Sequence, residues 1–179
     1  MIKIGEATAK ARIEAPITSI HLTDWLFTMS SEDYAACAKG HHSAAQGMLP
    51  SGKRVSVNLE YVAGFFMVQH YIETVSEPAY VKVVSPNTLL WGNDDTFVMA
   101  QITWELSVVA LDDHSCELTC IVTSETDNAA LARQAHESSQ DLDGKKTPLQ
   151  LHIHEETPHF AKDIERKALA NRLEERLVS

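Results

Sequence analysis

His152 and Glu156 stand four residues apart in the run Thr147-Pro148-Leu149-Gln150-Leu151-His152-Ile153-His154-Glu155-Glu156-Thr157-Pro158-His159-Phe160. On a helix such a pair shares one side and can hold a single ligand between imidazole and carboxylate. At about 100° per residue, Leu149, Ile153, Phe160 and Ile164 form an apolar stripe, with Glu156 inside it and His152 at its edge. A carboxylate on a face that should be buried is costly without a partner. The pair therefore marks a candidate site. His159 and Asp163 make another such pair beside the same face, either a supporting shell or a solvated flank, whereas His154 and Glu155 fall off the stripe and are expected in solvent.

The elements that must position this helix follow from periodicity. Residues 6–14 alternate, with Ala7, Ala9, Ala11 and Ile13 on one side, as a half-buried strand does. Pro16 punctuates it, and Ile17–Met29 reads as a short helix. Ser30 as N-cap, with Asp33 three residues on, opens a second short helix that stops at Gly40. From Lys53 to Thr126 the period is two. Val55, Val57, Leu59 and Tyr61 alternate with Ser56, Asn58 and Glu60, and Phe65–Val75 is a long apolar run interrupted by Gln69, His70 and Glu73. Residues 96–111 and 115–126 form the clearest hairpin, turning at Asp112-Asp113-His114. This predicts an antiparallel sheet with one face on a core and one in water. Residues 127–146 read as a long polar connection carrying Ser138, Ser139, Asp141, Asp143 and Gly144, with one short helix over Ala129–His136. Thr147 as N-cap and Pro148 at the first helical position then open the last helix, which Pro158 should kink rather than end.

At 179 residues the chain reads as a single domain over 1–179, and its 44% hydrophobic content suffices for a core. A net charge of −10 argues against a nucleic-acid partner. Without a span-length apolar segment or a signal-like N-terminus, the expected compartment is the cytoplasm. Cys37, Cys116 and Cys120 supply no disulfide framework and read as reduced, packed thiols.

The order of strand, two short helices, antiparallel strands and one long C-terminal helix resembles the helix-grip fold of the START and Bet v 1-like superfamily, as does Ala11-Arg12-Ile13-Glu14-Ala15-Pro16. The fold class expected is thus α+β, a curved antiparallel sheet around a long helix, with a cavity between them for a small apolar or aromatic ligand. Four residues are then worth joining: His42 after the second short helix, Glu73 in the apolar run, and His152 with Glu156. Two imidazoles and two carboxylates suit zinc with room for water or a substrate oxygen, and the natural chemistry is hydrolysis. Adjacent His41 could equally be the ligand, and the parity of the strand leaves open whether Glu73 points in or out. Glu156 could instead pair with a base from the sheet.

Ser31-Glu32-Asp33-Tyr34, followed eight residues after the tyrosine by His42, resembles a motif of the diacetylphloroglucinol and phloretin hydrolase family. The resemblance implies a helix-grip zinc enzyme that cleaves a carbon–carbon bond between an acyl group and a phenolic ring. It would assign His42, Glu73, His152 and Glu156 to zinc and Tyr34 to the substrate's oxygen; Ala45 stands where that family would have a substrate-binding asparagine. Two other classes fit the same residues. One is a carrier of lipophilic molecules, and the other a metal-free polyketide cyclase or aromatase using the histidines and carboxylates as acid and base. A homodimer is compatible with each.

Overall fold

The computed structural model describes the backbone of residues 1–140 and 145–178, with side chains for residues 1–138 and 145–170. The expected Asp141, Asp143 and Gly144 of the polar connection lie outside the described residues, and so does the side chain of Ser139. Among the described residues seven strands, β1 (Ile2–Ile13), β2 (His41–Met48), β3 (Arg54–Val62), β4 (Phe65–Glu77), β5 (Tyr80–Trp91), β6 (Phe97–Ala110) and β7 (Cys116–Thr126), form one antiparallel sheet in the order β1-β7-β6-β5-β4-β3-β2. Because β1 and β2 are the two edges, the chain between them must cross the open side of the curved sheet. A 3-10 turn at Ile17–Ser19, α1 (Leu22–Thr28) and α2 (Ser31–Ala35) make that crossing. The polar connection holds α3 (Ala129–Gln140), longer than the helix expected there, before α4 (Pro148–Val178) fills the concave side. This is the α+β helix-grip architecture that the order of elements predicts.

Local signals operate as their chemistry requires. The Ser30 hydroxyl accepts from the Asp33 amide at 3.0 Å to start α2. Thr147 and Gln150 cap α4 reciprocally, backbone N–H to side-chain oxygen, at 2.8 and 3.1 Å. The helix runs on through Pro158. Its apolar stripe packs where expected: Ile153, Phe160 and Ile164 are buried, and Phe160 touches Trp25 and Trp104 at ring-centroid separations of 5.3 and 5.4 Å.

Two expectations change. The residues around His42, expected only to follow the second short helix, are edge strand β2, paired with β3 through Ala44↔Asn58 and Gly47↔Val55. The alternation in β3 is real but runs against the usual sense. Ser56, Asn58 and Glu60 face the interior, and Val57 and Tyr61 face solvent.

Candidate functional site

Four side chains converge beneath α4. His41 and Glu60 face each other as a cross-strand pair of β2 and β3, and His152 and Glu156 descend from one side of α4. All four are buried, and their ligand atoms lie within 4.8 Å of one another. His41 Nε2 is 3.3 Å from His152 Nε2, 3.0 Å from Glu156 Oε2 and 3.4 Å from Glu60 Oε2. His152 Nε2 is 3.3 Å from Glu156 Oε2 and 3.5 Å from Glu60 Oε2.

Gly40 makes this approach possible. A Cβ there would lie 2.5 Å from the carbonyl oxygen of Tyr61, whose amide donates to the Gly40 carbonyl at 2.7 Å. Only a residue without a side chain lets the strand start so close that His41 turns inward. His41 is then fixed from behind. Its ring stacks on Tyr34 at 3.9 Å and an interplanar angle of 3°, and its Nδ1 lies 2.8 Å from the Tyr34 carbonyl. A carbonyl only accepts, so Nδ1 carries the proton and Nε2 faces the group. The Tyr34 hydroxyl donates to Glu60 Oε2 at 2.8 Å, and the Gln69 amide nitrogen donates to Glu60 Oε1 at 2.7 Å.

Electrostatics follow from this crowding. Burial opposes ionisation of Glu60, but the hydrogen bonds and charges of His152, His41 and Tyr34 win and hold its pKa below the ordinary value. Burial likewise pulls the His152 pKa down, and hydrogen bonds donated to the Glu156 and Glu60 carboxylates overcome it, raising it to about 10. Burial first, then the charges of Glu60 and Glu156, push the Tyr34 and Tyr71 hydroxyls well above 10.

Glu60, His152 and Glu156, with Tyr34, line a narrow cavity of about 30 Å³. Asn58, Met67, Gln69 and Tyr71 line the sheet side, while Ile102, Trp104, Val122, Leu149 and Ile153 supply apolar wall. Trp104 Nε1–H reaches Cys120 Sγ at 3.2 Å, and that thiol lies 3.9 Å from Glu156 Oε1.

Of the residues singled out from sequence, Tyr34, His152 and Glu156 come together here, and His42 and Glu73 do not. His42 follows the inward His41 on the strand and points to the outer face, its ring 5.7 Å from that of Phe66. Glu73 shares the inward parity of β4 but lies six residues beyond Met67, the partner of Glu60, which is about 20 Å along a strand. There it takes the Arg54 backbone N–H at 2.9 Å and the guanidinium at 2.8 Å. His41 and Glu60 stand in their places. The alternative of His41 was open from adjacency. Glu60 gave no signal, because a polar position in an alternating strand reads as solvent-facing. His159 and Asp163 tie α4 to the crossing segment, His159 Nδ1 to the Cys37 carbonyl at 2.7 Å and Asp163 to Trp25 Nε1–H at 2.8 Å.

No family model and no curated protein matches the chain. Solved structures do. A protein from Thermus thermophilus superposes with a TM-score of 0.57 at 14% identity, over 93% of this chain and 99% of that one. A START superfamily protein from Mycobacterium smegmatis gives 0.49 at 12% identity over 93% and 98% of the two chains. The ZhuI aromatase/cyclase from Streptomyces sp. R1128 gives 0.48 at 16% identity over 93% and 88%. At such identities the likeness is one of fold.

Proposed function

We propose that this chain binds a small, largely apolar molecule bearing an oxygen function, and that His41, Glu60, His152 and Glu156 hold a zinc ion at the floor of its cavity. The observation that carries the reading is the shape of the donor set. The five separations between its nitrogen and oxygen atoms given above run from 3.0 to 3.5 Å. These are five of the six edges of a tetrahedron, the two carboxylate oxygens lying within 4.8 Å of each other. A regular tetrahedron with edges of about 3.3 Å would have its centre about 2.0 Å from each vertex, the ordinary distance of zinc from histidine nitrogen and carboxylate oxygen. Two imidazole Nε2 atoms turned toward each other also make better sense sharing a cation than sharing one proton.

When bound, zinc would polarise a carbonyl and lower the pKa of water, which suits hydrolysis of an acyl-bearing aromatic or diketone-like compound at a carbon–carbon bond. The protein's own groups have defined parts in that chemistry. Tyr34, kept protonated by burial, stands at the cavity wall as the proton donor for the departing ring carbon. Gln69 selects the ligand's polarity. Since Glu60 only accepts, the Gln69 amide must turn its nitrogen that way, and its Oε1 is left buried with no hydrogen-bond partner among the described residues. A ligand hydroxyl would supply that partner, and Trp104 with Ile102 and Ile153 would cover its apolar body.

A second reading keeps a specific observation on its side. With His152 protonated up to about pH 10, the cluster neutralises part of its own charge, as a metal-free cyclase or aromatase, or a plain carrier, would need. Elemental analysis of protein purified without chelator separates them. About one zinc per chain, lost in His152→Ala and Glu60→Ala, supports the hydrolase. Near-zero metal, with activity indifferent to chelator or an intact apolar ligand co-purifying, favours the second.

A further inference from the structure

The reversed alternation of β3 has a counterpart on the outside of the sheet. Cross-strand registers align Tyr61, Phe66, Trp91 and Phe97 in one row over β3, β4, β5 and β6. The next row is Ser43, Leu59, Val68, Leu89 and Met99, and a third holds Ala45, Val57 and His70. All of these positions lie on the face away from the cavity, since their neighbours Asn58, Glu60, Met67 and Gln69 line it. Not one is Asp, Glu, Lys or Arg, in a chain of which 22% is charged and whose net charge is −10. Tyr61, Trp91 and Phe97 are 42%, 46% and 63% exposed, with Met99 and Val57 exposed beside them. Together with the half-buried Leu59, Phe66, Val68 and Leu89 they present roughly 600 Å² of apolar surface, at the upper end for the largest patch on a monomer.

We propose that this face is the interface with a second copy of the same chain. The area approaches the ~800 Å² that each partner contributes to a standard stable interface, and the rim of the same sheet can supply the remainder. Absence of charge from the centre is the composition of homodimer cores rather than of transient contacts. An anionic surface, lipid or nucleic acid, would be repelled by the acidic chain and would find no basic residue in these rows. A pleated face meeting its own copy across a two-fold axis sets row against row, as two sheets pack in a sandwich. The cavities then open away from the contact, and each subunit keeps a complete site.

Sedimentation velocity over a micromolar concentration series tests this. The wild-type chain should sediment at twice its 19.9 kDa mass. The double variant Trp91→Glu, Phe97→Lys should sediment as the single chain, its dissociation constant raised at least ~100-fold by loss of two central aromatics. Both side chains are solvent-exposed in the single chain, so the variant's circular dichroism should match the wild type. Val109→Lys, at an exposed position off the rows, should remain dimeric. A wild-type chain that stays at 19.9 kDa throughout the series overturns the proposal, as does a double variant that still dimerises or a Val109→Lys variant that dissociates equally. A monomeric wild type that instead co-floats with neutral phosphatidylcholine vesicles would overturn it in favour of a lipid surface.

Discussion

Glu73→Ala distinguishes a structural ion pair from a metal ligand. The Glu73 carboxylate takes three donors from Arg54, the backbone N–H at 2.9 Å, Nη2 at 2.8 Å and Nε at 3.2 Å, and a further one from the Ser76 hydroxyl. The side-chain hydrogen bond from Arg54 is the main cause that lowers its pKa from 4.5 to about 2, against a smaller opposing effect of burial. Converted in full, that displacement would correspond to about 3 kcal/mol of stability. The Arg54 side chain is 30% exposed and Glu73 19%, so solvent screening leaves about 1 kcal/mol. The folded pKa is depressed, so the contribution is complete above the unfolded value of 4.5 and is lost as pH falls through about 2. Urea unfolding should therefore show Glu73→Ala about 1 kcal/mol less stable than wild type at pH 7, or about 2–4 °C in Tm, with the difference more than halved at pH 3. Zinc content should not change, because the Glu60 cluster lies about 20 Å away along β4. A Glu73→Ala protein that loses metal while Glu60→Ala keeps it would refute the geometry, and an equal stability loss at both pH values would refute the electrostatics.

Tyr34→Phe removes a buried donor to a carboxylate and should cost about 1.5–3 kcal/mol in chemical denaturation; if Tyr34 also protonates the leaving group, kcat falls with KM little changed. Gly40→Ala forces a Cβ to 2.5 Å from the Tyr61 carbonyl oxygen, so a stability loss of about 2 kcal/mol or more is expected together with lost metal, since His41 is the next residue along the chain. At the β3–β4 turn, Ala63 is held at φ 55° before Gly64, and Ala63→Asn should raise stability by about 0.5–1 kcal/mol by suiting a type I′ turn. The thiols of Cys37, Cys116 and Cys120 are raised in pKa, chiefly by burial, Cys37 to about 12. Iodoacetamide at pH 8 should leave all three unlabelled in native protein and alkylate them in urea; rapid native labelling would contradict the burial.

How far the sequence discloses these features depends on the range of the interaction that decides each. The caps at Ser30 and Thr147, the hairpin across Asp112–His114 and the apolar stripe of α4 are local, and capping residues, turn residues and periodicity locate them. The inward turn of His152 and Glu156 is equally local, because α4 can bury only one side. Strand β2 is different. Its Gly40-His41-His42-Ser43 start resembles a loop in composition, and only its pairing with β3 makes it a strand. The choice between His41 and His42 is set by that pairing too, since adjacent residues on a strand point to opposite faces.

Glu60 shows what a single strand cannot disclose. An isolated alternation tells which residues share a face, and the usual inference that the apolar set is the buried one rests on the cost of burying polar groups. In β3 that cost is offset from outside the strand. Ser56 donates to Asn58 at 2.7 Å, and Tyr34 from α2 with Gln69 from β4 serves both oxygens of Glu60. The partners lie 26 and 9 residues away on other elements, and the alternation of β3 carries no trace of them. The inversion also frees Val57, Leu59 and Tyr61 to join the outer rows that we assign to a second copy. One reversed strand thus has two effects, supplying a carboxylate to the cavity and an uncharged surface to the exterior. The outward apolar residues are those for which we propose a burial partner in a second copy. Glu60→Leu should accordingly weaken metal binding and leave dimerisation intact, while Tyr61→Lys should do the reverse. Coupled loss of both properties in either variant would mean that the strand's register, rather than its two faces, had been altered.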